Sequence, residues 1–231
     1  MPVVTISGKT GSGAREVGRQ AAYLLGADFV DQQLMVQAAQ RCGVTVGAVA
    51  QRDERSATLK QRIASTINTL LERSGSSGAD ALTGATGVEA ILSQTYADMA
   101  RTEQEAPISD KLYAETTATI IRELATSGSI VILGRGSQMI LKDTPRALHV
   151  LCLAPADVRI HRVAEREELP LDEAKHTVTE ADQARDAFYH KYWKVNVENA
   201  SLYDMTVDTA RLGFEKAAEI VANAARLKTE V

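Results

Sequence analysis

The chain has 231 residues, of which 45% are hydrophobic and 24% charged, which is typical of a soluble globular protein with one sizeable domain over residues 1–231. Its 26 Lys and Arg against 30 Asp and Glu give a net charge of −4, so we expect no polybasic surface for a nucleic acid polymer or an anionic membrane. Aromatic residues make up 4%, which also argues against a base-stacking surface for single strands.

The chain begins directly with an apolar strand pattern rather than with a charged leader. No segment approaches the roughly 18 consecutive apolar residues of a membrane helix. Cys42 and Cys152 are too few for a disulfide framework, and Cys152 lies in the apolar run LHVLCLA, which favours a buried thiol. We therefore expect a cytoplasmic protein.

A glycine-rich turn near the start of the chain has the layout of a phosphate-binding loop. The β-branched run at 3–6 predicts a buried strand, and an amphipathic helical pattern follows the turn. Small residues in such a turn let backbone N–H groups approach a phosphate at the N-terminus of the helix. The predicted nucleotide-binding residues are Gly8, Gly11, Ser12, Gly13 and Ala14.

The loop lacks the lysine that usually follows its last glycine. Ala14 and Arg15 stand where a P-loop has Lys and Ser or Thr. Two nearby cations are candidates for the missing catalytic charge: Arg15 in the first turn of the helix, and Lys9 within the loop. The sequence leaves the choice open, and a glycine-rich turn without a ligand is the alternative interpretation of this segment.

The rest of the chain alternates strand and helix patterns. Further strands are predicted at 28–30, 129–133, 147–153 and 204–208, and helices at 110–127, 157–168, 171–192 and 213–227. Strands without polar alternation, separated by helices, predict a parallel sheet covered on both faces. The fold class is therefore α/β, a three-layer sandwich with a five-stranded parallel sheet.

Residues 43–108 differ from this pattern and predict an insertion. Helical stretches at 56–73 and 88–101 flank a segment at 74–87 that is rich in Gly, Ser and Thr. The insertion is interpreted as a helical or flexible subdomain that binds a substrate or closes over it. A plain surface loop is the alternative.

Arginine side chains suit phosphate binding because the planar guanidinium can donate two parallel hydrogen bonds. Arg135 follows the predicted strand at 129–133, at the sheet edge where ligands bind in such folds. Arg159, Arg162 and Arg166 share one helix face, with a salt-bridged surface helix as the alternative. The four histidines are scattered without partners at ligand spacing, so no protein metal site is predicted.

Asp182 and Arg185 lie one helical turn apart. Such a pair either forms a simple ion pair or holds a ligand between its two groups.

These residues resemble the cytidylate kinase-like family, a branch of the nucleoside monophosphate kinases. The resemblance covers most of the chain except about residues 43–108, and four blocks carry it: ISGKTGSGAREVG with LGADFVDQQL, IIRELATSGSIVILGRGSQMIL, LAPADVRIHRVAERE and ASLYDMTVDTARLG. It implies a P-loop kinase fold, ATP bound at the loop, Mg²⁺ held mainly through ATP, and a nucleoside monophosphate as the small-molecule partner. A homodimer through the insertion is left open.

The resemblance also implies roles for single residues. Arg135 matches the arginine of an acceptor-site Asp-Gly-Arg-Asp motif, and Asp182 with Arg185 matches an Asp-x-x-Arg motif that holds the acceptor. Arg162 and Arg166 resemble the arginines of the family's lid. The resemblance implies that these two residues are catalytic together with Arg15 or Lys9.

The chain departs from the family pattern at several of these positions. The two motif aspartates are replaced by Leu133 and Gly136, an arginine is replaced by Val178, and the loop lysine is replaced by Ala14. An ATP-dependent phosphotransferase is therefore the first hypothesis. A nucleotide-binding regulatory module with little turnover is the second.

Overall fold

A computed structural model describes residues 1–32, 65, 93–101 and 110–229. Most of the predicted insertion at 43–108 lies outside the described residues. This part includes the stretch 74–87 and the stretch 56–73 apart from residue 65, and Cys42 lies outside the described residues as well. None of the helices in the described ranges is long and apolar enough to span a bilayer.

The centre of the fold is a five-stranded parallel sheet, which confirms the predicted class. The strands are β1 (Val3–Gly8), β2 (Asp28–Val30), β3 (Ile130–Leu133), β4 (Ala147–Leu153) and β5 (Met205–Asp208). Their order in the sheet is β2-β3-β1-β4-β5, and every neighbouring pair is parallel. Because β1 lies between β3 and β4, all six of its residues are buried. The loop that follows β1 is therefore carried by the central, fully buried strand of the sheet.

Seven helices surround the sheet within the described ranges. They are α1 (Ala14–Leu25), α2 (Tyr96–Ala100), α3 (Asp110–Thr126), α4 (Ser137–Ile140), α5 (Ala156–Glu167), α6 (Leu171–Trp193) and α7 (Thr209–Thr229). The one-turn helix α4 was not predicted from the sequence. Helix α7 includes a first turn from Thr209 that was not predicted. The chain kinks at Gly213, whose φ of 75° and ψ of 168° are not helical, and the helical segment predicted from Gly213 follows this kink.

The two faces of the sheet are covered by different helices. On one face, Val17 of α1 and Val221 of α7 pack against Val4 and Ile6 of β1 in a single buried cluster. On the other face, the Ser7 hydroxyl donates to the Gln138 side chain of α4 at 3.2 Å. Cys152 of β4 is buried as predicted, and burial raises the pKa of its thiol to about 12. The three-layer arrangement predicted from the sequence is thus present.

An aromatic cluster joins α2, α3 and α6 beside the sheet. Phe188, which is fully buried, lies at its centre, with ring-centroid distances of 5.1 Å to Tyr96, 6.1 Å to Tyr113 and 5.4 Å to Trp193. We call this set, with Tyr189 and Tyr192, the aromatic cluster. It holds Tyr96 at the edge of the sheet where the candidate site lies.

Candidate active site at the carboxyl edge of the sheet

A cavity of about 1130 Å³ opens where β1, β2 and β3 end. Side chains from distant segments meet there because the carboxyl ends of parallel strands share one edge of the sheet. The residues of the predicted site that line it are Gly8, Lys9, Gly11, Ser12, Gly13, Ala14, Arg15, Arg135, Arg162, Arg166 and Arg185. Asp182 is a predicted site residue that does not line the cavity.

The loop between β1 and α1 forms the floor of the cavity, and two of its glycines are required by its shape. Gly11 and Gly13 both have a φ of 80°, a conformation that side chains disfavour. A Cβ atom on Gly11 would lie 2.5 Å from the carbonyl oxygen of Arg159, and one on Gly13 would lie 2.4 Å from the ring of Phe214. The loop is therefore packed closely against α5 and α7.

Every carbonyl oxygen of the loop from Gly8 to Gly13 accepts a hydrogen bond from the surrounding protein. Two are local backbone bonds: the Ser12 N–H donates to the carbonyl of Lys9 at 2.9 Å, and the Val17 N–H of α1 donates to the carbonyl of Gly13 at 2.9 Å. The other four come from side chains outside the loop. Arg185 donates to Gly8, Arg159 to Thr10 at 3.0 Å, Arg162 to Gly11 at 3.2 Å and the Thr209 hydroxyl to Ser12 at 2.6 Å.

This pattern orients the backbone of the loop. Arg159 and Thr209 do not line the cavity, so they hold the carbonyl oxygens of Thr10 and Ser12 away from it. Because a peptide unit is planar with its two polar groups on opposite sides, the N–H groups of Gly11 and Gly13 are then turned toward the cavity. The first N–H groups of α1 add to them, since the opening turn of a helix has no intrahelical acceptors. The floor of the cavity thus has the layout of an anion-binding site at a helix N-terminus.

The two cations that could replace the missing lysine have different surroundings. The Lys9 ammonium lies 2.7 Å from the carboxylate of Glu198 and 3.8 Å from that of Asp186. Burial raises the pKa of Asp186, although Lys9 acts in the opposite direction. Arg15 lies in the first turn of α1 and bonds to the buried carboxylate of Asp31.

Asp31 lines the cavity, yet sequence reasoning did not select it as a site residue. A signal was present, because Asp31 directly follows β2 at the carboxyl edge of the sheet.

Arg135 and Arg185 approach the cavity from the side of the aromatic cluster. Arg135 is buried and has a φ of 58°, which is rare for a residue other than glycine. Its backbone N–H donates to the Tyr96 hydroxyl at 3.1 Å, and the Arg185 guanidinium lies 4.9 Å from the centroid of the Tyr96 ring. Burial raises the pKa of Tyr113, against the effect of the neighbouring Arg135. Tyr96 therefore links the two arginines.

The two predicted lid arginines lie on α5 but differ in their contacts. Arg162 donates to the hydroxyl and the carbonyl of Thr209 at 2.8 and 3.1 Å, besides Gly11, and its guanidinium lies 4.6 Å from the centroid of the Phe214 ring. Arg166 is exposed at the rim of the cavity and pairs with Glu167 at 2.7 Å. Arg162 thus contacts the loop directly, and Arg166 faces solvent.

Asp182 bonds to Arg159 at 2.8 Å, and Arg159 in turn holds the Thr10 carbonyl. The structure thus separates the two residues of the Asp-x-x-Arg pattern, since Arg185 lines the cavity and Asp182 lies behind the loop.

Comparison with known proteins places these features in a family. The sequence profile described as the cytidylate kinase-like family matches residues 3–211. The chain belongs to this family. Within the cytidylate kinase-like family, it is 28% identical over 132 residues to a cytidylate kinase of Aeropyrum pernix, covering 57% of this chain and 74% of that protein. A cytidylate kinase of Methanocaldococcus jannaschii is 29% identical over 104 residues, covering 44% of this chain and 58% of that protein.

A solved structure shares the fold over nearly the full length of both chains. It is an uncharacterized protein from Eubacterium ventriosum, with a TM-score of 0.63, 15% identity and coverage of 98% and 99%. At that identity the likeness concerns the fold alone. Membership in the cytidylate kinase-like family is what supports a nucleotide kinase.

Proposed function

We propose that this protein transfers the γ-phosphoryl group of ATP to the phosphate of a nucleoside monophosphate or a closely related small acceptor. The observation that carries the proposal is the loop whose carbonyl oxygens from Gly8 to Gly13 all accept hydrogen bonds. Arginines line the cavity above this loop. Such a site provides positioning and positive charge, which are the main requirements of phosphoryl transfer.

The loop is assigned to the β- and γ-phosphates of ATP. A close approach of phosphate to the backbone is consistent with Gly8, Gly11 and Gly13, where any side chain would collide with neighbouring atoms of the protein. Mg²⁺ is assigned mainly to the oxygens of ATP, because Arg15 occupies the position where a P-loop has its hydroxyl residue. When bound there, Mg²⁺ neutralises phosphate charge.

The charge of the missing lysine is assigned to Arg15 rather than to Lys9. Arg15 lies on the helix whose N-terminus faces the phosphates, and a guanidinium with five N–H donors can bond to Asp31 and to a phosphate together. Lys9 is directed toward two carboxylates instead. Arg162 and Arg166 would add positive charge from α5 around the transferring group.

The acceptor is assigned to the side of the cavity formed by Arg135, Arg185 and Tyr96. Guanidinium groups suit the phosphate of a nucleoside monophosphate. In the reaction, an oxygen of that phosphate forms a bond to the γ-phosphorus while the bond to the bridging oxygen of ADP breaks. A phosphate oxygen is already ionised, so no general base is needed.

A second candidate function is a nucleotide-binding regulatory module with little turnover. Ala14 in place of the loop lysine favours it, as do Leu133 and Gly136 in place of the acceptor-motif aspartates. The retained arginines of the cavity favour the kinase.

Transfer from γ-labelled MgATP to a panel of ribo- and deoxynucleoside monophosphates tests the proposal. We expect one acceptor to be labelled, and we expect Arg135→Met to raise the acceptor KM about tenfold or more while the ATP KM stays within about twofold. ATP binding without transfer to any member of the panel would favour the regulatory module. Equal effects of Arg135→Met on both KM values would refute the acceptor assignment.

A further inference from the structure

The helix-borne pair Arg159 and Asp182 lies on the outer side of the phosphate loop, away from the cavity. Arg159 is buried, and its Nη1 donates both to the Thr10 carbonyl at 3.0 Å and to Asp182 Oδ2 at 2.8 Å. The side chains of the two residues are 10% and 15% exposed. Neither residue lines the cavity, so neither is placed to contact a nucleotide.

Arg159 orients one peptide group of the loop, the one between Thr10 and Gly11. The carbonyl of Thr10 lies in the peptide bond whose N–H belongs to Gly11. Since a peptide unit is planar with its two polar groups on opposite sides, holding the oxygen outward turns the Gly11 N–H toward the cavity. The backbone of Arg159 also packs on Gly11, where a Cβ would meet its carbonyl oxygen at 2.5 Å.

Asp182 fixes the position of the Arg159 guanidinium, which bonds to the Thr10 carbonyl. A buried arginine without a counter-ion is costly, and a buried pair is tolerated when its geometry is held by further hydrogen bonds. Asp182 comes from α6 and Arg159 from α5, so the pair also fixes the loop relative to both helices. The described surroundings thus give Asp182 a partner behind the loop rather than in the acceptor site.

We propose that Arg159, oriented by Asp182, is a positioning residue for ATP: it holds the Thr10 carbonyl outward so that the Gly11 N–H faces the phosphates. This inference rests on the proposed function, in that ATP occupies the loop. In this proposal Asp182 contributes to ATP binding indirectly, by orienting Arg159 against the loop. The resemblance to the family instead implies that Asp182 contacts the acceptor directly.

The test compares Arg159→Met, Asp182→Asn and the double variant R159M/D182N with the wild-type chain. Calorimetry measures the Kd of MgATP and of CMP, and NMR measures amide hydrogen exchange of the loop in the free protein. We expect Arg159→Met to weaken MgATP about tenfold or more, to leave CMP within about twofold, and to speed exchange of the loop amides. Asp182→Asn should act in the same direction with a smaller effect.

The double variant separates positioning from misfolding. Arg159→Met leaves the Asp182 carboxylate buried and unpaired, and the double variant removes that charge, so its melting temperature should be the higher of the two. Its Kd for MgATP should match that of Arg159→Met alone, because two residues that act as a unit are not additive. Arg122→Met, which removes an exposed arginine of α3, is the matched control and should change no readout.

Two results would overturn the inference. One is a loss of CMP affinity in step with MgATP affinity in Asp182→Asn, which would return Asp182 to the acceptor site. The other is an unchanged MgATP Kd or unchanged loop exchange in Arg159→Met. Failure of the proposed function shows itself separately, as an absence of phosphate transfer by the wild-type chain, and leaves the loop-exchange comparison intact.

Discussion

At the scale of single residues, Lys9 and Arg15 are the two cations that could replace the missing loop lysine, and they differ in their surroundings. Both line the cavity, but Lys9 is directed to Glu198 and Asp186, and Arg15 lies at the N-terminus of α1 with Asp31. Ion pairs of partly exposed groups contribute little to stability, on the order of 0.2–1 kcal/mol. We therefore expect that Lys9 can be replaced without disrupting the structure of the loop.

The first prediction follows from this difference. Lys9→Ala should leave kcat for phosphate transfer within about threefold of the wild-type value, because its charge is already engaged by carboxylates. Steady-state kinetics with MgATP and the labelled acceptor measure this. A fall in kcat of about 100-fold with an unchanged Kd for ATP would give the catalytic charge to Lys9 instead.

Most of the residues predicted for the site line one cavity, because the loop, the Gly-Arg-Gly turn and the arginines of α5 and α6 carry local signals in the sequence. The sequence could not decide between Lys9 and Arg15, since Glu198 and Asp186 are far from Lys9 along the chain. It did not anticipate Asp182 behind the loop either, because the contact with Arg159 is made between two helices.

At the scale of elements, the turn from β1 to α1 sets the shape of the phosphate site. Gly11 and Gly26 flank α1 on its two sides, with φ values of 80° and 59°. A Cβ on Gly11 would collide with the backbone of Arg159, whereas a Cβ on Gly26 would meet no atom within 4 Å. Gly26 is therefore a matched control for a substitution at Gly11, since both residues have a positive φ but only Gly11 is closely packed.

The second prediction uses this pair. Gly11→Ala should lower kcat/KM for ATP about 100-fold, since a displaced loop misplaces the phosphates. Gly26→Ala should lower stability by about 1–2 kcal/mol through its backbone conformation, without changing the ATP parameters. Thermal unfolding and initial rates measure both effects. Equal kinetic effects of the two substitutions would contradict the assignment of the loop to ATP.

The aromatic cluster is a second element-scale feature, and it supports the acceptor side of the cavity. Phe188 contacts Tyr96, which stacks with Arg185 and accepts from the backbone of Arg135. Only part of this was foreseeable, because Tyr96 belongs to the region predicted as an insertion.

The third prediction concerns Phe188. Phe188→Leu should lower the free energy of unfolding by about 1–3 kcal/mol and raise the acceptor KM more than the ATP KM, because Tyr96 loses its packing partner. Chemical denaturation and steady-state kinetics measure the two quantities. Tyr23→Leu, at a side chain that is 83% exposed, is the control and should change neither. A larger rise in the ATP KM than in the acceptor KM would argue against the assignment.

At the scale of the whole molecule, a buried histidine couples stability to pH away from the site. His149 of β4 lies 2.8 Å from the Thr5 hydroxyl, and burial lowers its pKa from the usual 6.5, although Asp204 acts in the opposite direction. Below about pH 6.5, His149 in the unfolded chain binds a proton more readily than His149 in the folded chain, where its pKa is lower. The free energy of unfolding therefore declines as the pH falls below 6.5.

The fourth prediction is that the melting temperature falls between about pH 7 and pH 5 and that His149→Gln removes most of this slope. Calorimetry across that range measures it, with His161→Gln, an exposed histidine of α5, as the control. Burial raises the pKa of Asp204, but Lys228 and the His149 N–H lower it below 3.8 overall, so its contribution belongs to a more acidic range. An unchanged slope in His149→Gln would refute the role of this histidine.

The fold of the described residues agrees closely with the prediction, because apolar strands and amphipathic helices show their periodicity in the sequence. Strands β2 and β4 begin and end at the predicted residues. Helix α4 has a single turn, which is too short to show a periodicity. Its buried Gln138 bonds to side chains that are distant along the chain, those of Ser7, Tyr189 and Tyr203. The predicted insertion at 43–108 remains a prediction.

The most direct test of the central claim is the rate of phosphate transfer in four proteins: wild type, Arg15→Ala, Ala14→Lys and the double variant A14K/R15A. We predict that the wild-type chain transfers phosphate and that Arg15→Ala lowers kcat about 100-fold or more, as loss of a preorganised charge does. A lysine at position 14 should restore much of that loss in the double variant. A wild-type chain that binds ATP without transfer, together with activity created by Ala14→Lys, would contradict the account and identify a nucleotide-binding module.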